Sequence, residues 1–308
     1  MDRHDLAPQL NFLTVPGPAA KDGGARRIAW WDWPSAIATD HVVICVHGLS
    51  RQGRDFDVLA RRLSAKARVV AVDVAGRGRS DWLADPAAYQ IGTYAADLAA
   101  LIGHLHQGGA VGRTDWVGTS MGGLIGMTLA SQPSMGISRL VLNDVGPVMR
   151  WDALRRIASY LGQDPSFDTE QQAVDYLASI STGFGPHTPA QWLALSRPML
   201  REQGGRWKLH YDPAIAEPVR ALVSQADEDA SRRVVAEGEA ALWALYDQIR
   251  APTLLLRGAE SDLLTRETAE AMAGRGPRAR CVEFAGVGHA PTLVQDDQVE
   301  AVAAFLLD

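Results

Sequence analysis

Cysteine is almost absent from this chain: Cys45 and Cys281 are the only two in 308 residues. So sparse a pair is no disulfide framework, and the fold must rest on its apolar core. Both fall inside apolar, strand-like runs, so both are expected to be buried and reduced. Long hydrophobic runs are missing as well. No stretch approaches the ~20 apolar residues that a membrane span needs, and the opening Met1-Asp2-Arg3-His4-Asp5 lacks the apolar core of a secretory signal. A cytoplasmic protein without a membrane span is expected.

An excess of basic residues is lacking too. Thirty Lys and Arg against 36 Asp and Glu leave a formal net charge of −6, whereas nucleic-acid binders carry a basic patch or stripe. No nucleic-acid partner is expected. The eight histidines contain no His-Glu-x-x-His arrangement. His104 and His106, two apart on a helix-like stretch, would point to different faces. No metal site and no cofactor follow from this pattern. The glycine-rich Gly76-Arg77-Gly78-Arg79-Ser80-Asp81 lacks both the third glycine of a dinucleotide fingerprint and the Gly-Lys-Ser/Thr of a P-loop. Nucleotide binding is rejected, and its arginines are read as holding loops through hydrogen bonds to carbonyls.

What the chain does have is 47% hydrophobic residues, enough for a substantial core. Short β-branched runs alternate with amphipathic stretches, the pattern of parallel strands joined by helices. Residues 11–15 and 27–33 look like an opening antiparallel pair. Strands are expected at 42–46, 69–72, 113–117, 140–142, 252–256 and 280–284, with helices near 56–63 and 94–105. From Pro147 to about Ala240 the pattern changes to helix-like segments broken by Gly162, Pro165, Gly183, Gly185, Pro186, Pro189 and Pro198. No strand signal stands out there. The expected division is a core of residues 1–146 and 241–308 with a helical lid inserted at 147–240. The insertion carries Trp151, Tyr160, Phe167, Tyr176, Phe184, Trp192, Trp207 and Tyr211. Some of these should line an apolar pocket.

The chemistry concentrates in three places. Gly118-Thr119-Ser120-Met121-Gly122-Gly123 closes an apolar run and opens a helix-forming stretch, the context of a nucleophile elbow. A serine on so sharp a turn needs small residues two positions away on each side, and here both are glycine. Val42-Val43-Ile44-Cys45-Val46-His47-Gly48-Leu49 ends a strand in a turn that can aim the backbone N–H of Leu49 at the same point as that of Met121. His47 itself is read as a hydrogen-bonded structural histidine. His289 lies in the glycine-punctuated loop after the 280–284 strand. Two aspartates compete to orient it: Asp262, past the 252–256 strand, and Asp144, past the 140–142 strand. Asp262 is favoured, because Arg257-Gly258-Ala259-Glu260-Ser261-Asp262 matches the commoner arrangement.

Together these segments resemble the α/β-hydrolase superfamily over nearly the whole chain, in its branch of lidded serine esterases, lactonases and carbon–carbon bond hydrolases. The order serine, acid, histidine is the one that superfamily uses. The resemblance implies an α/β fold with a mostly parallel eight-stranded sheet flanked by helices and a helical lid. It implies a triad of Ser120, Asp262 and His289 with Leu49 and Met121 as oxyanion donors. The expected activity is hydrolysis of a carboxylic ester or lactone with an apolar acyl or alkyl part through an acyl-serine. The alternatives are carbon–carbon bond cleavage beside a ketone, acyl transfer or perhydrolysis with the same triad, and a non-catalytic ligand-binding protein. Relatives that open epoxides or remove halides use an aspartate at the elbow, and Ser120 argues against both. The partner is then a small-molecule ester or lactone, with assembly into a homo-oligomer left open.

Overall fold

The computed structural model describes residues 7–109, 111–224 and 228–308. Met1-Asp2-Arg3-His4-Asp5, read above for targeting, lies outside the described residues. The chain opens on an antiparallel pair, β1 (Gln9–Thr14) and β2 (Arg27–Trp33). Strand and helix then alternate through β3 (His41–Val46), α1 (Asp57–Leu63), β4 (Arg68–Asp73), α2 (Ile91–Gln107), β5 (Arg113–Thr119), α3 (Met121–Ala130) and β6 (Ile137–Asn143). A long insertion follows, with α4 (Trp151–Tyr160), β7 (Ser166–Phe167), α5 (Glu170–Ile180), α6 (Pro189–Ser196), β8 (Leu200–Gln203), β9 (Arg206–Leu209), α7 (Glu217–Val223) and α8 (Glu228–Gln248). The chain ends on β10 (Thr253–Gly258), α9 (Arg266–Gly274), β11 (Arg280–Phe284) and α10 (Asp296–Leu307).

Eight strands form one sheet in the order β1-β2-β4-β3-β5-β6-β10-β11. All neighbours from β4 onward pair in parallel. Parallel strands are covered on both faces, so they read as continuous apolar runs, and β3 shows why. Val42, Ile44 and Val46 point to the face covered by α2 and α3, while Val43 and Cys45 point to the face covered by α1 and α10. Every residue of β3 is buried. The covering helices match: Leu98, Leu101, Ile102 and Leu105 of α2 recur at three- and four-residue spacing, as do Val299, Val302, Ala303 and Leu306 of α10.

Three expectations need correcting. Cys45 is buried, but Cys281 is exposed, because β11 is the sheet's last strand and is covered only at its end. The insertion is not purely helical, since β7, β9 and β8 form a small antiparallel sheet. Its cause is Gly204-Gly205, both at positive φ (61° and 74°), which makes the tight two-residue connection of a β8–β9 hairpin. Lastly, the boundary expected after Ala240 falls inside α8, which runs unbroken to Gln248. Among the described residues no helix is long and apolar enough to cross a membrane.

Candidate active site

The order of the strands decides what can meet. β3 lies beside β5, β5 beside β6, β6 beside β10 and β10 beside β11, so the loops leaving their carboxyl ends share one rim, where ligands bind in open α/β sheets. Ser120 directly follows β5 and precedes α3, at φ 50° and ψ −115°. A Cβ on Gly118 would lie 2.3 Å from the Gly122 carbonyl oxygen, and one on Gly122 would lie 2.0 Å from the Val46 carbonyl oxygen. Backbone therefore meets backbone on both sides of the serine, and only glycine fits. Trp116, fully buried beneath, donates its indole N–H to Gly122 O at 3.0 Å. Gly122→Ala is expected to cost about 3 kcal/mol through overpacking against a strand that cannot retreat. Urea unfolding measures it, and an unchanged midpoint would contradict the close approach.

His289 stands in the loop after β11 with its Nε2 3.0 Å from Ser120 Oγ. Its Nδ1 lies 2.7 Å from Asp144 Oδ2. The row hydroxyl, imidazole, carboxylate is thus continuous, and its carboxylate is Asp144, with no exposed side-chain surface. Asp144 directly follows β6 at φ 53°. Gly258 N–H donates to its Oδ1 at 2.9 Å and Ser261 Oγ–H to its Oδ2 at 2.6 Å. These donors fix the carboxylate so that one oxygen faces the imidazole.

The favoured Asp262 is corrected by this geometry. It lies four residues past the end of β10 and is paired with α4 rather than with His289. Both its oxygens accept from Arg156 of α4, at 2.8 and 2.9 Å, and its side chain is 51% exposed. The Gly258–Asp262 turn does serve the site, but through Gly258 and Ser261. Asp144, the competing candidate, is the first residue beyond a strand adjoining the elbow strand.

Opposite the serine, the turn after β3 presses on the elbow, since a Cβ on Gly48 would sit 3.7 Å from Ser120 Cβ. Leu49 and Met121 both border the same cavity as Ser120 and His289. Met121 opens α3, whose first amide groups have no partner within the helix and face any anion formed there. His47 holds the turn by donating from Nδ1 to Gly48 O at 2.7 Å and accepting Val74 N–H on Nε2 at 3.0 Å. Burial pushes its pKa down to about 3. His47 is neutral and structural.

Arg77 is a positioning residue that the sequence identified only as a loop holder. Its fully buried guanidinium donates to Leu49 O at 2.8 Å, Ala75 O at 2.7 Å and Tyr94 Oη at 2.9 Å, between the Tyr89 and Tyr94 rings. It therefore fixes the peptide next to the Leu49 amide and brings a positive charge behind it. Asp73 secures the same loop from below by accepting Gly53 N–H at 2.7 Å and Arg79 N–H at 2.8 Å. Burial raises its carboxyl pKa to about 6 despite those donors.

A cavity of about 950 Å³ opens over Ser120 and His289. The insertion supplies nearly half of its wall, including Leu154, Ile157, Leu177, Ile215 and Val219. Of the eight insertion aromatics, Tyr160, Tyr176, Phe184 and Tyr211 line it. Trp192 instead stacks behind Phe184, while Trp151 packs with Leu154 and Val235. Among the described residues no group of three His, Cys, Asp or Glu stands close enough to hold a metal ion.

A serine on a strained strand-to-helix turn, an imidazole from the last strand's loop and a carboxylate at a neighbouring strand end are the parts of an α/β-hydrolase. The sequence pattern of the alpha/beta hydrolase family matches residues 43–305, and the chain belongs to that family. It is accordingly a hydrolase. The 3-hydroxybutyrate-oligomer hydrolase of Cupriavidus necator is 44% identical over 303 residues, 97% of this chain and 98% of its own. An esterase of Mycobacterium tuberculosis is 27% identical over 275 residues, 84% of this chain and 79% of its own. Among solved structures, an alpha/beta hydrolase from Novosphingobium aromaticivorans matches with a TM-score of 0.81 at 33% identity, covering 98% of each chain.

Proposed function

We propose that this protein is a serine esterase that hydrolyses the ester bonds of short 3-hydroxybutyrate oligomers. The observation that carries the mechanism is the hydrogen-bonded row Ser120, His289 and Asp144 at the floor of the cavity. The substrate class is carried by the likeness over nearly the full length of both chains to the Cupriavidus necator enzyme. Cavity size and lining agree with it. Each repeat of such an oligomer is a methyl-bearing three-carbon unit joined by an ester, so it is largely apolar with polar groups at intervals, as ligand cavities generally require.

In this reading Ser120 Oγ attacks the ester carbonyl while its proton passes to His289 Nε2. Asp144 accepts the Nδ1 hydrogen, which fixes the tautomer and stabilises the imidazolium. The carbonyl oxygen becomes an anion facing the amides of Leu49 and Met121, with the Arg77 charge behind them. Such prearranged donors act where negative charge develops, and one is typically responsible for a factor of about 10² to 10³. His289 then returns the proton to the departing alkoxide, releasing the hydroxyl of the leaving fragment. Water loses a proton to His289 and attacks the acyl-serine, freeing the carboxylic acid and restoring Ser120. The insertion acts as a lid that keeps bulk water from the intermediate and shapes the substrate channel.

The test is the trimer of 3-hydroxybutyrate offered to the purified chain, with products separated by chromatography and 4-nitrophenyl butyrate as a general ester. Release of dimer and monomer at a kcat of roughly 1 to 10³ s⁻¹ is expected. Hydrolysis of the aryl ester without the trimer would contradict the substrate assignment alone. Failure with both would contradict the esterase reading.

A further inference from the structure

The cavity wall carries two arginines with opposite circumstances. Arg51 is tied down: Asp55 accepts from its Nε and Nη2, both at 2.7 Å, Leu195 O accepts from Nη2 at 3.0 Å, and the guanidinium lies over the Phe184 ring. Its side chain is 11% exposed. Arg156 is 45% exposed, and its hydrogen-bond acceptors are the two oxygens of Asp262, itself half exposed. Both members of that pair line the cavity, and so does Tyr160, one helical turn along α4. Burial raises the Tyr160 hydroxyl pKa, and the Arg156 charge offsets only part of that rise. The result is a planar, two-pronged cation beside a phenol, on the wall of a largely apolar cavity, held by a carboxylate that solvent reaches.

We propose that Arg156 binds the free carboxylate of the substrate, with Tyr160 as a second donor, and that Asp262 occupies this site when substrate is absent. The proposal deepens the function above and rests on it for the identity of the oligomer. An ion pair this exposed is weak, so an incoming carboxylate in the same two-pronged geometry can displace Asp262. The partner exchange keeps the guanidinium paired throughout.

The chemistry fixes which end of the substrate this is. Every ester in the oligomer has its acyl part on the hydroxyl-terminal side and its alkoxide part on the carboxyl-terminal side. The free carboxylate therefore belongs to the fragment that leaves when Ser120 is acylated. Arg156 acts on acylation and has no role once the leaving fragment has gone. Cleavage is then counted from the carboxyl end of the oligomer, so early products have one fixed length.

The experiment compares wild type, Arg156→Leu and Asp262→Ala on three substrates: the trimer as its free acid, the trimer as its methyl ester, and 4-nitrophenyl butyrate. Arg156→Leu should lower kcat/KM for the free acid about tenfold or more through KM, with the two carboxyl-blocked substrates changed less than about twofold. Asp262→Ala removes the competing carboxylate and should lower KM for the free acid. The two variants thus move in opposite directions. If the pair merely tethers the insertion to the sheet, both variants shift all three substrates in the same direction, and the proposal is overturned. Indifference of the free acid to Arg156→Leu, with the trimer still cleaved, also overturns it and leaves the substrate reading standing. If wild type does not cleave the trimer, the free acid is used as an inhibitor of aryl-ester hydrolysis. Inhibition weakened about tenfold by Arg156→Leu then upholds the anchor while the substrate reading falls, and inhibition unchanged by the variant overturns both.

Discussion

Asp144→Asn is expected to lower kcat by about 10⁴-fold, while Asp262→Asn leaves it within about threefold of wild type. The large effect comes from the tautomer. Asp144 now accepts the Nδ1 hydrogen of His289 at 2.7 Å, which leaves Nε2 free to take the serine proton. Gly258 N–H, which can only donate, goes to Oδ1, while Ser261 Oγ and the imidazole share Oδ2, so a carboxamide there would keep its oxygen toward Gly258 and turn its NH₂ toward Ser261 Oγ, which can accept, and the imidazole. The imidazole would then carry its hydrogen on Nε2, where it cannot act as a base. Asp262 has no such leverage, because its oxygens accept from Arg156 and not from His289. Steady-state rates on a carboxyl-blocked aryl ester separate the two variants. Equal losses, or the larger loss at Asp262, would reassign the orienting acid.

Ser120→Ala carries the other large effect, a fall in kcat of about 10⁵- to 10⁶-fold on every ester. In the proposed mechanism the oxygen removed is the one that forms the intermediate, and His289 Nε2, 3.0 Å away, is left without a proton to take. The cavity and the donors at Leu49 and Met121 persist, so substrate should still bind with about wild-type affinity. Equilibrium binding of the trimer free acid to the variant measures that half of the prediction. A variant retaining even a hundredth of wild-type turnover would show that water is activated directly, with no covalent step.

The parts of the site legible in the sequence are those where local geometry dictates composition. The elbow is readable because carbonyl oxygens of Gly122 and Val46 stand where side chains at 118 and 122 would begin. His47 is readable as structural because a histidine at the end of the apolar run Val42–Val46 must satisfy both ring nitrogens locally, as it does. His289 follows the last strand within a short glycine-bounded loop, so its reach is limited to one rim. The acid is different. Asp144 and Asp262 both follow buried strands, β6 and β10, that are neighbours in the sheet, and nothing local says which carboxylate turns inward. What decides is tertiary: Gly258 N–H and Ser261 Oγ converge on Asp144 from the neighbouring strand's end, and Arg156, over a hundred positions away, takes Asp262. Exposure of Cys281 depends in the same way on β11 being the sheet's last strand. The β8–β9 hairpin was within reach, since Gly204-Gly205 followed by the alternating Arg206-Trp207-Lys208-Leu209 is a local turn signal.

The most direct test is covalent. The purified chain is treated with a fluorophosphonate, digested, and the adduct located by mass spectrometry, alongside Asp144→Asn and Asp262→Asn. One adduct on Ser120 is predicted, formed rapidly by wild type and Asp262→Asn and slowed by orders of magnitude in Asp144→Asn. Labelling elsewhere, or labelling of Ser120 at a rate indifferent to Asp144, would contradict the account.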